Sequence, residues 1–76
     1  TVMDETVLDA RGLICPLPVL KAQKRLRAMS AGERLRIDVT DPKAPEDLRL
    51  LCDERGYRLL GRREADGVVS VSIEKT

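Results

Sequence analysis

Pro16 and Pro18, two residues apart behind Cys15, restrict what this chain can fold into more than any other feature. Each proline lacks a ladder donor, so the stretch is a poor strand. Both rings suit the first turn of a helix, where N–H groups have no intrahelical partner. The spacing predicts Cys15 as N-cap, Pro16 as N1 and Pro18 as N3. The sulfur would then lie near the free N–H groups of Leu17 and Val19, at the positive end of the helix dipole, where a thiolate is favoured over a thiol. The expectation is a reactive nucleophile with a pKa below the usual ~8.5. The competing reading is a buried cysteine that only fills space.

Length and composition set the frame around that thiol. A chain of 76 residues predicts one domain over residues 1–76, with its core between about 6 and 75. Hydrophobic residues at 42% and charged residues at 36% describe an ordinary globular protein, and no apolar run approaches a membrane span. The net charge of +1 argues against wholesale nucleic-acid binding. Histidine is absent and there are two cysteines, so one chain cannot build the usual Cys/His zinc tetrad or a Cys-His or Ser-His catalytic pair. Neither a metal nor a cofactor is expected. The opening residues lack the basic and apolar segments of a secretory signal, which predicts a reducing, cytoplasmic setting, and Met3 is a candidate original start.

Periodicity then gives the elements. Thr6 to Asp9 reads as a first strand, closed by Gly12, with Arg11 in the turn beside Cys15. From Leu17 to about Ala31, Val19, Ala22, Leu26 and Met29 draw one apolar helical stripe, while Lys21, Lys24, Arg25 and Arg27 charge the other side; Gly32 ends the element. Four like charges usually mean a solvated face, but beside a reactive thiol they also form a candidate docking surface for an acidic partner. Arg34 to Thr40 alternates as a strand with Leu35, Ile37 and Val39 inward. Asp41-Pro42 reads as N-cap and N1 of a second helix, with Pro45 making its opening turn irregular, Ala44, Leu48, Leu51 and Cys52 on its apolar side, and Gly56 as its stop. Cys52 is thereby expected in the core. Tyr57 to Glu64 and Gly67 to Glu74 form a hairpin around Ala65-Asp66-Gly67, with Val69, Val71 and Ile73 inward. Tyr57, the one aromatic, is expected to pack.

The order strand, helix, strand, helix, strand, strand predicts an α/β two-layer sandwich, with both helices on one sheet face when crossovers are right-handed and strands add in one direction. Cys15 and Cys52 then lie near opposite ends of the molecule. A helix of ten residues is roughly 15 Å long, and disulfide partners need Cα atoms within about 7 Å, so no internal bridge is expected.

The Cys-Pro-Leu-Pro motif holds no second cysteine two residues on, which argues against a dithiol oxidoreductase. One thiol can carry a group. The run Leu8-Asp9-Ala10-Arg11-Gly12-Leu13-Ile14-Cys15-Pro16-Leu17-Pro18, the later Thr40-Asp41-Pro42 and the Asp-Gly hairpin together resemble the TusA/SirA family of small sulfur carrier proteins, from Val7 to Lys75. The resemblance implies a βαβαββ fold with a mixed four-stranded sheet. It also implies that Cys15 receives persulfide sulfur from a donor such as a cysteine desulfurase or rhodanese and relays it to an acceptor thiol protein, in tRNA thiolation, cofactor assembly or sulfur oxidation. The matching positions are Asp9, Arg11, Gly12, Pro16, Pro18 and Asp41; Leu17 stands where members often carry glutamate. Pro16 and Pro18 are expected to frame the site, with Gly12 beside them. Asp9 and Asp41 are expected to be structural, Arg11 to contact the thiolate or a partner, and Leu17, Lys21, Lys24 and Arg25 to contact partners. A monomer acting as a sulfurtransferase-like carrier, not a stand-alone enzyme, is the leading expectation. The alternatives are a binding module docking RNA or an acidic protein on the basic helix face, with RNA disfavoured by the scarcity of aromatic platforms, and a single-cysteine redox sensor.

Overall fold

The computed structural model describes residues 5–76, so Met3 lies outside the described residues. The elements are β1 (Glu5–Ala10), α1 (Leu17–Arg27), β2 (Arg34–Val39), α2 (Ala44–Arg55), β3 (Arg58–Ala65) and β4 (Val68–Glu74). This is the expected βαβαββ order. The sheet order is β1-β2-β4-β3, with β1 and β2 parallel and the other two pairs antiparallel. Strands therefore do not add in one direction to the end. The crossover through α2 skips one place, and the tight hairpin returns β4 into the gap. Asp66 (φ 54°) and Gly67 (φ 78°) are both left-handed, as a two-residue hairpin turn requires.

The apolar pattern becomes one core between the sheet and the two helices. Leu35, Ile37 and Val39 of β2 and Val71 and Ile73 of β4 are buried against Ala22 and Leu26 of α1 and Ala44, Leu48, Leu51 and Cys52 of α2. Val19, Met29, Val69 and Tyr57 pack at its margin. Lys75 stands over the Tyr57 ring, its Nζ 5.7 Å from the centroid. The opposite face of the sheet is polar, with Ser70 donating to Asp38 and Arg36 reaching the same carboxylate.

Element ends differ from expectation for local reasons. α1 stops at Arg27, not near Ala31, because the Ala28 and Met29 N–H groups bond back to Arg25 and Leu26 carbonyls, tightening the last turn. Gly32 then serves the turn into β2, its N–H donating to the Lys75 carbonyl (2.7 Å). α2 begins at Ala44 with Lys43 as N-cap, not with Asp41 and Pro42; Asp41 instead closes the turn before the helix by accepting the Lys43 N–H. Gly56 ends α2 in the left-handed conformation (φ 76°), as its position predicted. β3 is an edge strand, exposed throughout, and a bulge near Leu60 interrupts its pairing with β4.

Cys52 is 2% exposed, and burial pushes its thiol up to about 11. Replacing it with serine places a hydroxyl in that apolar setting. Cys52→Ser is expected to cost about 1–2 kcal/mol of stability in urea denaturation, while Cys15→Ser, outside the core, stays within about 0.5 kcal/mol.

Candidate functional site

Parallel pairing of β1 with β2, ending at Ala10 opposite Val39, brings the carboxyl ends of both strands to the same edge. The β1–α1 and β2–α2 loops therefore lie side by side. Thr40 and Asp41, the first residues past β2, reach across: Gly12 N–H donates to Thr40 Oγ1 (2.9 Å) and Cys15 N–H donates to Asp41 Oδ2 (2.6 Å). The other Asp41 oxygen accepts from Lys43 N–H at 2.9 Å. Leu13 packs against the core from the same loop. Cys15 is thus fixed through its own backbone, leaving its half-buried side chain to face the start of α2.

The chain enters α1 one residue later than the prolines predicted. Pro16 is the N-cap and Pro18 sits in the first turn, so Cys15 lies just outside the helix. The Leu17 N–H, expected as a donor to sulfur, is already bonded to the Ile14 carbonyl (2.9 Å). Cys15 Sγ instead donates to Asp47 Oδ2, on the first turns of α2.

This reverses the expected acidity. The hydrogen bond to Asp47, then partial burial, then the negative charges of Asp47 and Asp41 hold the Cys15 thiol above its ordinary range, while Lys43 pulls weakly the other way. A helix end carries about half an elementary charge; two aspartates bring a full charge each. The carboxylates win.

Arg11 makes no hydrogen bond to the sulfur among the described residues. It is clamped by Asp9, with Nε–Oδ1 at 2.9 Å and Nη2–Oδ2 at 3.1 Å, and this pairing holds the Asp9 carboxyl down at about 2. Lys21 Nζ donates to the Asp9 carbonyl (3.1 Å), closing the end of β1. Lys24 and Arg25 are exposed in the last turn of α1, without a salt bridge among the described residues. Gly12 adopts φ 80°, which lets the loop turn toward the helix.

On either side of Cys15 and in the first turn of α1, Ile14, Leu17 and Leu20 are 72%, 51% and 53% exposed, an apolar patch at the helix end opposite Lys24 and Arg25. Leu17 was a sequence candidate; Ile14, Leu20 and Asp47 were not. Leu20 lies three residues from Leu17 and off the buried stripe, a signal the periodicity contained. Asp47 is 32 residues from Cys15, and only the sheet topology brings the two together. Among the described residues, no group of three or more His, Cys, Asp or Glu is arranged to hold a metal ion. A groove of about 360 Å³ lies on the open sheet face, lined by Arg36, Arg63, Ser70 and Ser72, away from the thiol.

The amide bonds from Cys15 and Lys43 hold the Asp41 carboxyl below the ordinary carboxylate range. A lowered folded-state pKa means that the tether is complete above that range and is lost as pH falls through the folded pKa. In an acid titration followed by NMR, the Cys15 and Lys43 amide protons are expected to shift together with a midpoint below about 3.9, and Asp41→Ala is expected to remove that shared transition.

Residues 6–75 match the family described as sulfurtransferase TusA. The sulfur carrier protein TusA of Allochromatium vinosum is 41% identical over 69 residues, spanning 91% of this chain and 91% of the relative. That of Pseudomonas entomophila is 38% identical over 71 residues, spanning 93% and 89%. The crystal structure of a SirA-like protein from Desulfitobacterium hafniense superposes with a TM-score of 0.82 at 31% identity, covering 90% of this chain and 93% of that one. With nearly its whole length matched and the same two-layer fold, the chain belongs to the TusA family.

Proposed function

We propose that this protein is a sulfur carrier that takes persulfide sulfur onto Cys15 from a donor protein, such as a cysteine desulfurase or rhodanese, and passes it to an acceptor protein thiol. The observation that carries this reading is the isolation of a fixed, accessible thiol. Cys15 is anchored by its backbone and only half-buried at its side chain, while the other cysteine is sealed in the core. Without a resolving thiol in reach, sulfur loaded on Cys15 waits for an external nucleophile.

The surroundings fit protein partners. A persulfide must be delivered from one protein cysteine to another, which requires the two surfaces to approach closely around the sulfur. Ile14, Leu17 and Leu20 supply exposed apolar area for that contact, and Lys24 and Arg25 supply charge that steers an acidic partner toward it. The protein acts as a monomeric, cytoplasmic carrier without cofactor or metal, its turnover completed by its partners. The raised Cys15 thiol speaks against the peroxide-sensor alternative, because sensor cysteines are low-pKa thiolates.

Incubation with a cysteine desulfurase and cysteine, or with a rhodanese and thiosulfate, is expected to add one sulfur mass to the intact protein. The addition reverses with reductant and is absent in Cys15→Ser. No addition from either donor would overturn the carrier reading. The double charge reversal Lys24→Glu, Arg25→Glu is expected to slow transfer about tenfold at low salt by weakening encounter. Alkylation of Cys15 by iodoacetamide should be unchanged in that variant; equal slowing of both reactions would remove the docking role.

A further inference from the structure

The carboxylate opposite the sulfur has no part in anchoring the loop, which Asp41 does through the backbone. It touches the reacting atom itself. Asp47 Oδ2 accepts the Cys15 S–H, and Asp47 is held by a regular helix whose next residue, Leu48, is wholly buried. The charged groups acting on the sulfur are Asp47 on α2 and, from the loop before it, Asp41 and the opposing Lys43. Of these Asp47 alone is hydrogen-bonded to the thiol.

We propose that Asp47 is the proton acceptor of the carrier cysteine: it holds the resting sulfur as a thiol and takes the proton when that sulfur attacks a donor persulfide. This rests on the sulfur-carrier reading. In the loading step Sγ forms a bond to the terminal sulfur of the donor persulfide as the bond between that sulfur and the donor cysteine breaks. The bonding electron pair leaves on the donor sulfur as a thiolate, and the Cys15 proton passes to Asp47 Oδ2. In the unloading step an acceptor thiolate attacks the terminal sulfur, the electron pair returns to Cys15 Sγ, and Asp47 returns the proton. The two half-reactions leave Cys15 and Asp47 as they began and require no oxidant or reductant. Between rounds the thiol stays protonated and slow toward small electrophiles. Its reactivity depends on a partner that brings the persulfide into line with the S–H···O contact.

The test is Asp47→Asn, which keeps an oxygen facing the thiol and removes the charge. Two rates are followed by intact mass: alkylation of Cys15 by iodoacetamide across pH, and sulfur uptake from a preloaded cysteine desulfurase. The inflexion of alkylation is expected to move to lower pH, so that alkylation at pH 7 rises severalfold, the gain in thiolate outweighing its lower nucleophilicity. Sulfur uptake at pH 7 is expected to fall at least about tenfold, within the range general-base removal produces. Opposite signs are the signature. Cys52 reports folding in the same spectra and stays unmodified; if it reacts, Asp47→Ser is measured in place of the asparagine variant. An alkylation profile that superimposes on wild type overturns the proposal, as does uptake equal to or faster than wild type in a variant whose Cys52 is protected. Failure of wild type to take up sulfur overturns the carrier reading instead, and the alkylation profiles still decide whether Asp47 governs the thiol proton.

Discussion

The parallel pairing of β1 with β2 is the constraint on which the site depends. Parallel strands end at the same edge, so the loop carrying Cys15 and the loop carrying Asp41 emerge together; an antiparallel pair would send them to opposite ends. The register is fixed because Leu35, Ile37 and Val39 must face the helices, and a one-residue slip would turn them outward. Hydrophobic burial in the sheet thereby sets the position of a thiol that lies outside the core. Thr40 and Asp41 turn that proximity into defined geometry through two backbone amides.

Much of the fold was legible because the sequence punctuates itself clearly. Alternation in Arg34–Val39, the helical spacing of Ala44, Leu48, Leu51 and Cys52, Gly56 as a stop and Asp66-Gly67 as a turn each act within a few residues, and each appears where local chemistry places it. Helix starts were read less well. Proline shows that a helix is near but not which residue caps it, and Pro16 and Lys43 took the cap positions assigned to Cys15 and Asp41. The polar side chain of Asp41 found other N–H partners than those of a helix first turn. The place of β4 inside the sheet also lies beyond local pattern, since a hairpin can fold back on either side of its first strand.

Cys15 shows where local inference reverses sign. Read along the chain, the thiol sits at a helix start, near free first-turn N–H groups and the positive end of the dipole, so ionisation looked favourable. In space, the nearest charges come from the other helix: Asp47 lies 32 residues away in sequence and in hydrogen-bond contact with the sulfur. The cations Lys24 and Arg25 sit in the last turn of α1, at the far end of the helix from the thiol. Acidity at a surface site is set by neighbours across elements, and those are known only once the topology is.

A thiol held above its ordinary range suits a carrier better than the thiolate that the sequence led one to expect. Nucleophilicity rises with pKa once the proton is removed, while a sulfur of low pKa is the faster leaving group. A low-pKa cysteine would therefore release its cargo readily to any small thiol, and between rounds its thiolate would be open to oxidation. A more basic sulfur accepts strongly and lets go slowly, so cargo stays in place until unloading is assisted. Assistance needs a proton delivered to Sγ as the S–S bond breaks, and Asp47 is the one side chain hydrogen-bonded to that atom among the described residues. Retention and release then become properties of one contact, governed by where a single proton resides and by whether a partner's sulfur is aligned to exchange with it.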